Sequence, residues 1–217
     1  MLITFSGLEG AGKTTLIGLL KPSLERRGVR VRVSHMYRDV GVLAVGRAAL
    51  GRLGRGRRGR AGARADEAGG AARRRTAGAA RGLAWNGTLR AFVYPLDLLV
   101  FALYRAYVEG VRGSVLIMDR YFYDTLADVA AGGRPRVARL LARLTPTPSV
   151  PVLLDISAAE AFARKGEHAL AFLEGRRGVY AQVFPEGGRG LVLEAGREAG
   201  ENLRAVESAV LERMGRR

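Results

Sequence analysis

The sequence predicts an α/β fold with a parallel sheet, on three observations. Short apolar runs of strand type alternate with helical patterns along the whole chain. The αβ unit over residues 16–34 has the usual size for such a unit. The first run passes through a glycine-rich loop directly into a helix, the kind of place where open α/β sheets bind ligands.

Residues 2–5 are the first strand. Gly7, Gly10 and Gly12 follow, then Lys13, Thr14 and Thr15, then a helix with Leu16, Leu19, Leu20 and Leu24 on one face. Gly7, Gly12, Lys13 and Thr14 satisfy G-x-x-x-x-G-K-[ST] between a strand and a helix, the context that marks a P-loop. Glycines let the backbone turn with positive φ and approach a phosphate with no Cβ in the way. Successive N–H groups through Gly10, Ala11 and Gly12 then form an anion nest, and the helix starting near Lys13 adds its positive end. The motif predicts ATP with Mg²⁺. Lys13 bridges the β- and γ-phosphates, the Thr14 hydroxyl ligates the metal and Thr15 reaches the α-phosphate.

The remaining elements follow in order. Residues 29–34 alternate Val and Arg and form a second strand, with 36–39 at its carboxyl end. Residues 40–50 are apolar enough for a short helix, weakened by Gly41 and Gly46. Residues 51–82 are Arg, Gly and Ala with almost no large apolar side chains, and read as an insertion that builds no core of its own. Residues 96–110 are a helix with Pro95 near its first turn. Residues 115–118 are a strand that ends in Asp119-Arg120-Tyr121. Helices over 121–131 and 136–144 and a Pro-rich joint at 145–148 lead to a strand over 150–156. Helices over 158–165 and 170–183, broken by Gly166, precede a strand over 191–193 and a helix over 201–214.

At 217 residues the chain suits one domain with that insertion, and its 48% hydrophobic content supports a sizeable core. There is no cysteine, which excludes disulfides and thiolate chemistry. Met1 leads straight into a strand, with no basic region and long apolar run behind it; the expectation is no signal peptide and a cytoplasmic enzyme. The most apolar stretch, 91–104, carries Pro95 and Asp97 and is too short for a membrane span.

The formal net charge is +16, nearly all from arginine, since lysine occurs only at 13, 21 and 165. Compositional drift in a GC-rich genome and attraction to phosphates both account for it. An Arg-rich nucleic-acid-binding ATPase stays open as an alternative, although residues 51–82 lack the aromatic side chains that stack bases. His35 and His168 have no metal-ligand spacing and read as structural or surface residues.

Asp119 follows an apolar strand, where a Walker B carboxylate holds Mg²⁺; helix N-capping is the simpler role for such an aspartate. Arg120 beside it can grip a second phosphate with two N–H groups. Tyr121 and Tyr123 either line the acceptor pocket or pack.

With these residues in view, the chain resembles the thymidylate kinase family. GLEGAGKTT at 7–15 is similar to the P-loop of the bacterial members, and Asp119-Arg120-Tyr121 to their DRY motif. Leu154-Asp155-Ile156 with Arg164 resembles the strand and lid entry, and Arg177 with Tyr180 an R-x-x-Y element. The resemblance covers most of the chain except about 36–90. It implies a P-loop kinase fold, with a five-stranded parallel sheet in the order 2-3-1-4-5. It also implies transfer of the ATP γ-phosphate to a nucleoside monophosphate, dTMP first, and a homodimer, for which helix 96–110 is a candidate interface.

By the same resemblance Lys13 stabilises the moving phosphoryl group and Asp119 sits near the metal held by Thr14. Arg120 holds the acceptor's phosphate and Glu9 meets the acceptor's sugar hydroxyl. A short lid at 164–175 supplies the catalytic cation from Arg164, helped by Lys165 and Arg177. Arg38, Arg105 and Tyr121 complete the expected acceptor site. The chain departs from the family in four places. Met36 to Gly41 replaces the R-E-P-G-G-T segment, Asp124 stands where the family has Ser, Ala127-Asp128-Val129 replaces its A-Y-Q, and no arginine matches the base-reading position, Leu98 being nearest. A different phosphorylated or hydroxylated acceptor is therefore the alternative reading.

Overall fold

The computed structural model describes residues 1–40, 87–166, 168–185 and 190–215, and the side chains of Tyr37 and of residues 87–91 lie outside that description. The helix expected over 40–50 and the insertion at 51–82 fall almost wholly outside it. Among the described residues, five strands form one sheet in the order β2-β3-β1-β4-β5, every pair parallel. The strands are β1 (Leu2–Ser6), β2 (Val31–His35), β3 (Val115–Asp119), β4 (Val150–Asp155) and β5 (Leu191–Glu194). This is the order the resemblance implied, and the architecture of a P-loop kinase fold.

β1 is central because both of its faces are covered: all five residues are buried, and the run LITFS carries no charge. β3 pairs Leu116 to Asp119 with Leu2 to Phe5, and β4 pairs on the other side. All carboxyl ends therefore open onto one edge, where the functional residues gather.

The helices are α1 (Lys13–Arg26), α2 (Gly87–Ala106), α3 (Phe122–Ala131), α4 (Pro135–Leu144), α5 (Ala158–Lys165), α6 (Leu170–Val183) and α7 (Ala199–Gly215). α1 buries Leu16, Ile17, Leu20 and Leu24, the face its spacing predicts. α5 opens on a Ser157–Glu160 capping box and stops at Gly166, whose φ of 61° is left-handed.

α2 corrects the sequence reading. It spans 87–106 rather than 96–110, continues as a π-helical turn (Tyr107–Val111), and carries Pro95 in its interior. Tertiary packing overrides the local cost of proline: Tyr94 and Phe101 lie one on each side of Pro95, both buried and edge-on to Phe122. The opposite side of α2 leaves Phe92, Leu96, Leu99 and Leu103 exposed at helical spacing. β2 begins two residues later than expected and ends in a π-helical turn (Met36–Val40).

Candidate active site

The loop after β1 is shaped by its glycines. Gly7 has φ 136°, and a Cβ there would meet the Leu154 carbonyl oxygen at 2.3 Å, so no other residue fits. Gly12, at φ 88°, is the left-handed N-cap of α1 and supplies no side-chain cap. Its position leaves the first N–H groups of α1 directed at the loop.

Lys13 is buried, and its Nζ donates to the carbonyl oxygens of Gly7 at 2.8 Å and Leu8 at 2.7 Å. Burial pulls its pKa down to about 8, against the upward pull of Asp124 and Asp119. Thr14 Oγ1 donates to Asp119 Oδ2 at 3.4 Å, and Thr15 is exposed. A hydroxyl and a carboxylate side by side are hard oxygen donors that fit Mg²⁺, which keeps waters and substrate oxygens in its remaining positions. Among the described residues no cluster of three acidic or histidine side chains offers a fuller cage.

Arg120 faces this loop. Its φ of 68° is left-handed, the only such value among the described non-glycine residues. That conformation costs about 1–2 kcal/mol. It is held by the Arg120 N–H, which donates to Phe5 O at 3.0 Å. The guanidinium donates from Nη2 to Glu9 Oε1 at 2.7 Å, and its Nη1 stands 3.9 Å from Asp124 Oδ1. Glu9 Oε2 is also 3.6 Å from His168 Nε2, whose ring lies 5.0 Å from that of Phe172.

Arg164, on the last turn of α5, crosses to the loop and donates to Gly10 O at 3.0 Å. Lys165 beside it is exposed. Arg177 forms a two-pronged pair with Asp155 at 2.7 and 2.6 Å, which raises its pKa. Arg38 is exposed at the carboxyl edge and bonds its neighbour Asp39 at 3.1 Å. A cavity of about 860 Å³ lies alongside, lined by Leu153, Ala158, Tyr180 and Phe184, with Arg177 and Asp155 in its wall.

The structure therefore gathers Gly7, Glu9, Gly10, Ala11, Gly12, Lys13, Thr14, Asp119, Arg120 and Arg164 at one edge. Two expected acceptor residues do not join them. Arg105 donates to Glu109 at 2.8 Å, and Glu109 also holds the Met1 amino group at 3.0 Å. Met1 precedes β1, so Arg105 belongs to the opposite edge of the sheet. The Tyr121 ring is fully buried against Phe101, Phe122 and Tyr123, and its hydroxyl donates to Pro146 O at 2.7 Å. Burial raises its pKa well above the usual tyrosine value. Of the two roles weighed for Tyr121, packing is the one observed. Asp119 caps no helix; Tyr121 is the N-cap of α3, in a box closed by Asp124.

Sequence reasoning missed three residues. Asp124 is fully buried and accepts from Ser6 Oγ at 2.9 Å, Tyr121 N at 3.0 Å and Tyr180 Oη at 2.8 Å. Arg176, not Arg177, is the buried arginine of α6, paired with Asp128 at 3.2 Å. His168 touches the site instead of the bare surface. The available signal was Asp124 standing where the resembled family has Ser.

The fold is that of a P-loop kinase, and at its carboxyl edge Lys13 and Arg164 lie on the glycine loop with Arg120 across from them. The chain is similar to proteins described as thymidylate kinase from Xanthomonas campestris pv. campestris, strains B100 and 8004, at 30% identity over 173 residues. The matched stretch is 76% of this chain and 60% of each relative, so the chain spans about 60% of the length of the curated relatives it matches. No family model matches it. The likeness is to a nucleotide-using kinase. Among the described residues no helix is long and apolar enough to cross a membrane.

Proposed function

We propose that the protein transfers the γ-phosphate of ATP to a nucleoside monophosphate in the cytoplasm, with dTMP the first candidate, giving ADP and dTDP. The observation that carries the reading is the Arg120 guanidinium, aimed at the glycine loop from a strained backbone position and parked on Glu9. One anion sits on the main-chain amides of residues 7–13 and the other on Arg120. Lys13 leaves its two carbonyl partners for the β- and γ-phosphate oxygens. Arg120 exchanges Glu9 for the acceptor's phosphate, and Glu9 is released to the sugar hydroxyl. An oxygen of that phosphate attacks the γ-phosphorus, and the bond to the β-phosphate oxygen breaks. No general base is needed, because the attacking oxygen is already anionic. Arg164, beside Gly10, neutralises charge on the moving group. Mg²⁺, when bound, supplies charge neutralisation at the phosphate oxygens, held by Thr14 and Asp119.

The test is turnover of ATP with dTMP, dUMP, dCMP, AMP, GMP and UMP, read as ADP and nucleoside diphosphate together. The reading predicts dTDP with equimolar ADP. A folded, ATP-binding sample inert on all six acceptors rejects it. A second reading, a different small phosphorylated or hydroxylated acceptor, is favoured by Arg105 and Tyr121 pointing away from the site. Under it dTMP gives no thermal stabilisation, whereas the first reading predicts a rise in Tm. We also propose a homodimer through the exposed Phe92, Leu96, Leu99 and Leu103 stripe of α2.

A further inference from the structure

We propose that Asp124 is a positioning residue that couples helix α6, on which the lid ends, to the acceptor arginine and the glycine loop. The inference rests on the kinase reading above and deepens it.

A carboxylate with no exposed surface has to be satisfied by donors around it. Asp124 draws them from three separate parts of the chain: Ser6 at the end of β1, the Tyr121 N–H after β3, and the Tyr180 hydroxyl on α6. A local cap requires only the second of these. Oδ2 serves the cap and Ser6, whereas Oδ1 is turned to Tyr180 and toward Arg120 Nη1. The carboxylate thus stands behind the arginine whose other face meets Glu9.

Tyr180 extends the connection. Its hydroxyl donates to Asp124, accepts from Arg176 Nη2 at 3.3 Å, and lies 3.4 Å from Gly7 O. That carbonyl oxygen is one of the two holding Lys13 Nζ. One turn along each helix, Arg176 pairs with Asp128. The two rungs, 180 to 124 and 176 to 128, fix the register of α6 against α3, and α3 begins two residues after Arg120. Any displacement of α6 therefore reaches Arg120 through one carboxylate and Gly7 through one hydroxyl.

Tyr180→Phe removes the hydroxyl and keeps the ring. The inference predicts a loss of amide-exchange protection of about fivefold or more in residues 6–13 and 119–128, as well as in 170–183. With ATP and dTMP it predicts about a tenfold fall in kcat, while KM for ATP moves less than about threefold. Asp124→Asn, with its shape conserved, is expected to give the same exchange pattern more strongly. Ser6→Ala combined with Tyr180→Phe is expected to be non-additive in kcat. Exchange changes confined to α6 in Tyr180→Phe and to the first turn of α3 in Asp124→Asn, with kcat within about twofold of wild type, overturn the inference. The exchange measurement needs no substrate. If wild type phosphorylates none of the six nucleoside monophosphates, the function proposed above fails, and the coupling is still decided by exchange.

Discussion

At the carboxyl edge of the sheet Arg120 meets Glu9 at 2.7 Å, and at the amino edge Arg105 meets Glu109 at 2.8 Å. The distances match, but the construction differs. Arg105 and Glu109 are four residues apart at the end of α2, with no positive φ at either residue. Burial pushes the Glu109 carboxyl up, but Arg105 and the chain's amino group outweigh it and hold its pKa below the usual value. Arg120 and Glu9 are 111 residues apart, and the arginine sits in a left-handed conformation at a strand end. A local, relaxed pair is what stability alone produces. A distant pair held against backbone preference implies a geometry kept for another purpose.

If that contrast is right, substitutions at the two edges separate activity from stability. The largest effect belongs to Lys13. Lys13→Met is expected to lower turnover at least about a thousandfold, as loss of charge stabilisation at the transferring group. It is also expected to raise stability near pH 7 by about 1–3 kcal/mol. The folded-state pKa of about 8 lies below the unfolded 10.5, so burial of the charged amine is destabilising. That cost is fully present below pH 8, shrinks as pH rises from 8 to 10.5, and is absent above. Denaturant titrations of both proteins at pH 7 and pH 10 measure it: the gap narrows sharply at the higher pH.

Arg120→Gly comes next. It should lower kcat/KM for the acceptor by about a hundredfold or more, through loss of the guanidinium. Thermal melts should show no loss of stability, because glycine relieves about 1 kcal/mol of left-handed strain. A destabilised Arg120→Gly would mean that the arginine is a structural tie like Arg105.

Arg105→Ala gives the smallest effect. It is expected to cost about 0.5–1.5 kcal/mol in a urea titration and to leave kcat and KM at wild-type values. The Glu109 pKa is depressed, so its contribution is present above the unfolded carboxylate pKa near 4.5 and fades as pH falls through the lower folded value. A changed KM for the acceptor would return Arg105 to the site.

Much of the carboxyl edge was legible in the sequence because local chemistry demands it. Glycines at 7 and 12, Lys13 and Thr14 carry their reason in their spacing, and Asp119-Arg120 carries its reason in the strand before it. The strand order followed from resemblance, since no local signal specifies which strands pair. What stayed hidden depends on helix phase and distance. Arg176 and Arg177 are adjacent, yet about 100° of helical rotation buries one against Asp128 and leaves the other on Asp155 at the surface. Asp124 finds Ser6 118 residues away and Tyr180 56 away, partners that spacing cannot reveal. Arg105 was read as a site residue by resemblance, and its distance along the helix from the unmatched base-reading position did not reveal that it reaches the amino edge of the sheet instead.

The central claim is that two anions meet between the glycine loop and Arg120. A crystal structure with dTMP and a non-hydrolysable ATP analogue tests it most directly. The account predicts the analogue's triphosphate wrapped by residues 7–14, Lys13 moved off Gly7 O and Leu8 O, and the dTMP phosphate on Arg120 in place of Glu9. A triphosphate seated in the loop, with Arg120 still bound to Glu9 and the acceptor's phosphate on other residues, contradicts it.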